Sequence, residues 1–339
     1  MGIKSDITKL HYSSGGTNSI LKVLLKSCSF FYGIGSGFKN YMYDNGIIKP
    51  FKVPATVISV GNLTTGGVGK TPVVAEIAKY LSSNGEKVAI VSRGYGGKLS
   101  NKQINLISDG EKVYYNARLA GDEPYWLANN TNAVVVTSKN RVRASKFAIK
   151  NFNVSYIILD DGFQHRKLHR DIDIILIDSE KRLGNGNQLP LGPLRESQES
   201  ISRADRIVIV SKNYNHESAQ DLVEKTEKKF NIKTFLCKTE PDEIYNIETG
   251  NLLQNSKEVV AMTAIGQPEQ FFGFLKNYDI VEKVIFDDHH KYMVSDIPKT
   301  KLPIVTTEKD AVKLKGLGIE NIYALKLRTN IDVGRLLDK

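Results

Sequence analysis

Val57-Ile-Ser-Val-Gly-Asn-Leu-Thr-Thr-Gly-Gly-Val-Gly-Lys-Thr71 joins a β-branched apolar run to a glycine-rich loop. Directly behind it, Val73, Val74, Ile77, Ala78 and Leu81 keep helical spacing from Pro72 to Ser82, with Gly85 at the end. Strand, loop and helix therefore make one unit. Glycines let successive backbone N–H groups turn toward phosphate oxygens, and the helix N-terminus adds positive potential. Lys70 can reach the outer phosphates of a nucleotide, and Thr71 can ligate magnesium. The strict phosphate-loop pattern is not met, because Thr64 stands where its first glycine belongs. The reading rests on Thr65, Gly66, Gly67, Val68, Gly69, Lys70 and Thr71 in their strand-to-helix context.

Outward from this unit, short apolar runs alternate with longer amphipathic segments. Val88–Val91, Val134–Thr137, Tyr156–Leu159, Ile172–Ile177 and Ile207–Val210 are the further strand candidates of a mostly parallel, helix-covered sheet. After Lys233 the texture changes. Thr234–Lys238 and Ile244–Ile247 are expected to pair as a hairpin linker around the polar stretch Thr239–Glu243. Beyond it, strands at Val259–Ile265, Val284–Phe286, Pro303–Thr306 and Ile322–Leu325, with a helix over Pro268–Leu275, make a smaller α/β block. The organisation expected is residues 1–233, a linker at 234–250, and 251–339.

With 41% hydrophobic residues the chain can bury a core in each part, and no repeat or low-complexity tract points to a solenoid or to disorder. Cys28 and Cys237 lack the spacing of a disulfide framework or a zinc site. The net charge of +10 calls for an anionic partner: nucleic acid, an acidic membrane surface or a phosphorylated substrate. No nucleic-acid-binding motif accompanies it. The stretch Ile20–Phe38 mixes Leu21, Leu24, Leu25, Phe30 and Phe31 with Lys22 and Lys26 and is broken by Gly33, Gly35 and Gly37, too interrupted for a membrane span. A helix lying on a membrane surface has this pattern, and so has one packed on its own core.

A phosphate loop needs a magnesium-holding acid at a neighbouring strand end, and Asp160 and Asp161 follow Tyr156–Leu159. Ser92–Gly97, Gly121–Pro124 and Gly184–Glu196 read as loops at the mouth of the sheet. Arg93 and Arg195 are candidate phosphate or substrate clamps there, and Asp122 is a carboxylate that could serve a hydroxyl acceptor as base. Phe286–Tyr292 concentrates His289 and His290 beside Asp287 and Asp288; adjacent histidines on an extended segment face opposite ways, so a two-histidine metal site is disfavoured. His165 and His169 have metal-ligand spacing on a helix, but Arg166, Lys167 and Arg170 would repel a cation.

Taken together, Gly61–Pro72, Ser92–Gly97, Gly121–Pro124, Asp160–His165, Leu189–Glu196, Ala264–Phe272, Asp288-His289 and Thr307–Ala311, in this order, closely resemble the tetraacyldisaccharide 4'-kinases of lipid A biosynthesis. The resemblance implies a P-loop three-layer α/β/α domain and a second, smaller α/β/α domain joined by a β-hairpin. It implies ATP and Mg2+ as cofactors, and the 4'-hydroxyl of a tetraacylated glucosamine disaccharide 1-phosphate as acceptor. It places the enzyme peripherally on the cytoplasmic face of the inner membrane. By position, Asp122 matches the family's catalytic base and His289 its supporting histidine, with His290 the alternative. Asp160 and Asp161 match the metal-side acids, and Gln164, Arg195 and Glu196 fall in motifs near nucleotide and metal. A membrane-held acceptor turns the reading of residues 18–45 toward membrane association, with anionic lipid as partner and no obligate protein partner evident. The rival is a partitioning ATPase, but Thr65 stands where those proteins carry a signature lysine.

Overall fold

The structure, a computed structural model, describes residues 10–12, 19–212, 217–266, 268–287 and 290–338. The chain opens with helix α1 (Ser19–Asp44) and continues β1 (Thr56–Gly61), α2 (Lys70–Ser83), β2 (Val88–Ser92), β3 (Asn105–Asp109), α3 (Ala117–Ala120), α4 (Asp122–Asn130), β4 (Val134–Thr137), α5 (Arg141–Phe152), β5 (Tyr156–Asp160) and β6 (Ile172–Asp178). There follow β7 (Arg206–Ser211), α6 (Glu217–Phe230), β8 (Thr234–Asn246), β9 (Glu258–Thr263), α7 (Pro268–Phe274), β10 (Asp279–Ile285), β11 (Ile304–Thr307), α8 (Glu308–Leu314), β12 (Ile322–Asn330) and α9 (Val333–Leu337). All the strands expected from apolar runs are present.

The strands form one sheet in the order β10-β9-β11-β12-β8-β7-β6-β1-β5-β2-β4-β3. β1 sits deep in it, parallel to β5 on one side and β6 on the other. Both its faces are covered, which is why Val57, Ile58 and Val60 read as an unbroken apolar run: each is at most 1% exposed. Burying each such side chain contributes about 1.5–3 kcal/mol. Because β7, β6, β1, β5, β2 and β4 run parallel, the loops after β1, β2, β5, β6 and β7 open on the same edge.

Two expectations are corrected. Residues 234–250 do not fold back as a local hairpin, since Thr234–Asn246 is a single long strand. Its first residues pair in parallel with β7 and its later ones antiparallel with β12, so the ribbon joining the two parallel parts is β8 with β12. Nor is the N-terminal apolar stretch broken at its glycines, for α1 runs uninterrupted through Gly33, Gly35 and Gly37. At Gly33 a Cβ would stand 2.6 Å from Gln188 Oε1, so glycine is what lets the helix lie against that side chain.

α1 is an inside-out amphipathic helix. Its polar positions 29, 32, 36, 39 and 40 share one face and dock on the protein. Ser29 Oγ donates to the Gln188 carbonyl at 2.8 Å, Tyr32 Oη to the Arg195 carbonyl at 2.9 Å and Lys39 Nζ to the Gln164 carbonyl at 2.9 Å. Val23, Leu24, Phe30, Phe31, Ile34, Phe38 and Tyr41, on the opposite side, are exposed. Packing of the apolar face on the protein's own core is thereby overturned. Among the described residues no helix is long and apolar enough to cross a membrane.

Candidate active site

The phosphate loop leaves β1 and enters α2 through Gly69, whose φ of 95° lies in the left-handed region open to glycine. Gly69 has no side chain with which to cap α2, which leaves the first N–H groups of the helix to an incoming anion. The segment Leu189–Glu196 braces the loop. Thr65 N–H donates to the Pro193 carbonyl at 2.8 Å and Arg195 N–H to the Leu63 carbonyl at 2.7 Å. From the end of β7, Lys212 donates to the Gly67 carbonyl at 2.8 Å and pairs with Asp178 at 3.2 Å.

Lys70 Nζ lies 2.9 Å from Asn62 Oδ1 and 3.4 Å from Asp161 Oδ1. Arg195 Nη1 reaches both Asp161 oxygens, at 2.9 and 2.8 Å, and Gln164 ties into the same cluster through the Asn62 carbonyl at 3.1 Å. Burial alone would raise the Asp161 carboxyl, but Lys70 and Arg195 outweigh it and hold it below its ordinary range. Asp160 behaves oppositely: burial, reinforced by Glu123, pushes it to about 7 against Lys70. Buried Arg141 donates to the carbonyls of Asp160 and Asp161, at 2.9 and 2.8 Å, and so fixes the strand end from beneath.

A magnesium ion fits these residues. Asp160 Oδ1 is buried with no hydrogen-bond partner, an unsatisfied oxygen beside the phosphate loop, and Thr71 lies in the first turn of α2. Among the described residues no three His, Cys, Asp or Glu side chains converge as a protein cage would require. One carboxylate, a hydroxyl, phosphate oxygens and water are the donors magnesium prefers. Asp161, the second metal-side acid expected from the sequence, is paired with Lys70 and Arg195.

Asp122 is the first residue of α4, where a carboxylate is favoured by the helix N-terminus. Helix α4 packs on α2 and on α8, and its Glu123 is near enough to Asp160 to influence it. Asp122 Oδ2 pairs with Lys313 Nζ of α8 at 3.2 Å. Lys313 lies outside the motifs read from sequence, three residues beyond Asp310 in Thr307–Ala311; the signal was its helical spacing from that acid. Asn62, Arg141 and Lys212 were missed as well, being ordinary residues until the fold closes on them.

Arg93 rests on Tyr95, donating to its hydroxyl at 2.6 Å with the guanidinium 4.9 Å from the ring centroid. Glu196 is buried in an ion pair with Arg203 and accepts from Asn40 of α1 at 3.2 Å. His289 and Asp288 lie outside the described residues. His290 is engaged elsewhere, bonded to Asp296 at 3.0 Å and stacked on Phe286 with centroids 4.5 Å apart. His165 is held neutral: burial, helped by Arg141 and Lys39, lowers it to about 3.

Comparison with known proteins supplies the family. The family model described as Tetraacyldisaccharide-1-P 4'-kinase matches residues 21–339. The tetraacyldisaccharide 4'-kinase of Syntrophus aciditrophicus is 36% identical over 86% of this chain and 84% of its own length, and that of Halothermothrix orenii 31% identical over 95% and 93%. The crystal structure of LpxK from Aquifex aeolicus in complex with ATP superposes with a TM-score of 0.78 at 34% identity, covering 94% of this chain and 97% of that one. The chain belongs to the tetraacyldisaccharide 4'-kinase family, enzymes of lipid A synthesis.

Proposed function

We propose that this kinase transfers the γ-phosphoryl group of ATP to the 4'-hydroxyl of a tetraacylated glucosamine disaccharide 1-phosphate, giving the 1,4'-bisphosphorylated lipid. The cluster of Lys70, Asp161 and Arg195 at the mouth of the phosphate loop, with Asp122 on the neighbouring helix, carries this reading.

The backbone N–H groups from Thr65 to Thr71 cradle the phosphates, with Lys70 moving from Asn62 and Asp161 onto the outer ones. Thr71 and Asp160 would hold magnesium, which would neutralise charge on the phosphate oxygens. Asp161 keeps Lys70 and Arg195 in place, while Gln164 and Arg93 stand ready at the rim. In a loose phosphoryl-transfer transition state the acceptor keeps its proton until late, so a carboxylate suffices as base. Asp122 takes that proton from the 4'-hydroxyl, supported by His289 from the second domain. Residues 1–233, together with α9, whose Val333 and Leu336 pack in the core of that first part and not with the rest of 251–339, and the block beyond the linker act as two domains linked by the β8-β12 ribbon, and their approach completes the site.

The exposed apolar face of α1 supports peripheral attachment at the cytoplasmic face of the inner membrane, where the acylated acceptor resides. Lys22, Lys26 and the +10 net charge suit anionic head groups there. The test uses purified protein, magnesium, γ-labelled ATP and the disaccharide 1-phosphate in mixed micelles. A second phosphate, mapped to the 4' position, is the expected product; folded protein that leaves the lipid unlabelled contradicts the assignment.

A further inference from the structure

Lys313 stands between two carboxylates contributed by different parts of the chain. Its Nζ lies 3.2 Å from Asp122 Oδ2 on α4 and 3.6 Å from Asp310 Oδ1 on its own helix. All three are withdrawn from solvent, with side chains 12% exposed for Lys313, 19% for Asp122 and 0% for Asp310. Asp310 cannot swing, because its Oδ2 accepts from Thr263 Oγ1 at 3.0 Å, Ala264 N–H at 2.9 Å and Thr307 Oγ1 at 2.9 Å. The end of β9, the end of β11 and the first turn of α8 thus converge on one fixed anion, and the lysine lies beside it as an ion pair without a hydrogen bond. Lysine in turn offers a compact charge that accepts a carboxylate from several directions.

A second contact joins the same helices: Trp126 of α4 faces the Glu308 carboxylate at the start of α8. The Asp122 pair is therefore not the sole contact between the two helices. As a device for stability alone, a buried lysine between two acids is a poor choice, since apolar residues of similar volume usually hold such an interface as well or better. The trio makes physical sense if the position of Asp122 is what it serves. Near a bound triphosphate a lone carboxylate on a short helix is repelled; a cation anchored from the far side holds it in place.

We propose that Lys313 is a positioning residue for Asp122, so that the base is set for proton transfer only when α8 of the second part is docked on α4. This rests on Asp122 being the base. The experiment compares wild type with Lys313→Met, Lys313→Arg, Asp122→Asn, the Lys313→Met/Asp122→Asn double variant and Glu308→Gln in the micelle assay, with ATP affinity measured alongside. Lys313→Met is expected to lower kcat about 30-fold at saturating substrates while the KM for ATP stays within about twofold, as loss of an interaction made at the reacting end requires. Lys313→Arg should restore at least part of that loss. Glu308→Gln should keep wild-type kcat, and in the double variant the lysine change should cost nothing beyond Asp122→Asn. Lys313→Gln replaces the Met variant if the latter does not fold. Wild-type kcat in the neutral 313 variant, or an undiminished further loss on the Asp122→Asn background, overturns the proposal while leaving the base assignment standing. Wild-type turnover in Asp122→Asn overturns the base assignment and this proposal with it.

Discussion

The two sides of the site are built differently. Around the phosphate loop, Lys70 bonds Asn62 and pairs with Asp161, and among the described residues these are cross-bonded with Gln164 and Arg195, all within residues 61–195. The Asp122 side depends on distant chain, because Lys313, which pairs with Asp122, follows it by nearly two hundred residues and arrives on a different part of the sheet. The proposed nucleotide side draws on neighbouring loops of the first parallel part alone. The proposed acceptor side also includes a residue of α8.

The sharpest way to break this contrast is to remove Lys70. In the proposed mechanism Lys70→Met deletes a donor to the transferring phosphoryl group and should lower kcat/KM for ATP by on the order of 10³-fold, with weakened ATP binding as well. Steady-state kinetics with varied ATP reads both; retention of tight ATP binding would show that the backbone cradle suffices.

A smaller effect is expected on the outer face of α1, the surface proposed to meet lipid. Phe30 and Phe31 are 65% and 70% exposed on the outer face of α1. Changing both to Asp should weaken sedimentation with anionic vesicles about 10–100-fold, the worth of one or two lost aromatic insertions. ATP binding in solution should not move. Unchanged sedimentation would mean that another surface meets the membrane.

The smallest effect concerns acid stability beneath the site. His165 has its folded value lowered to about 3, so its contribution is fully present above the unfolded value of 6.5 and is lost as pH falls toward 3. Between pH 6 and 5 the wild type should therefore lose stability more steeply than His165→Gln, by up to about 1.4 kcal/mol per pH unit. Parallel slopes in denaturant titrations would mean that the imidazole takes up its proton in the folded protein.

Legibility in the sequence followed the same division. Strand β1, the loop and α2 are contiguous, so their apolar period and glycines could be read directly, as could Asp160 and Asp161 at the end of an apolar run. Strand β3 was missed because Asn105, Ser108 and Asp109 make a polar edge strand, antiparallel to β4. Strand β8 looked like two arms because Glu240, Pro241, Asp242 and Glu243 interrupt its apolar pattern. On the narrow β8-β12 ribbon those positions need no apolar cover, and the true partner of β8 lies far along the chain. α1 was ambiguous for a related reason: its pattern reveals two faces, and only the docked polar contacts decide which one turns outward. Lys313 carries no motif of its own, and its meaning comes wholly from Asp122 and Asp310.

The most direct test of the separation between the two sides is a paired measurement on Asp122→Asn: ATP affinity by calorimetry and phosphoryl transfer in mixed micelles on the same preparation. ATP affinity is expected to stay within about threefold of wild type and turnover to fall at least about 10²-fold, the usual contribution of a general base. Turnover near that of wild type, or a loss of ATP binding as large as the loss of turnover, would contradict that separation.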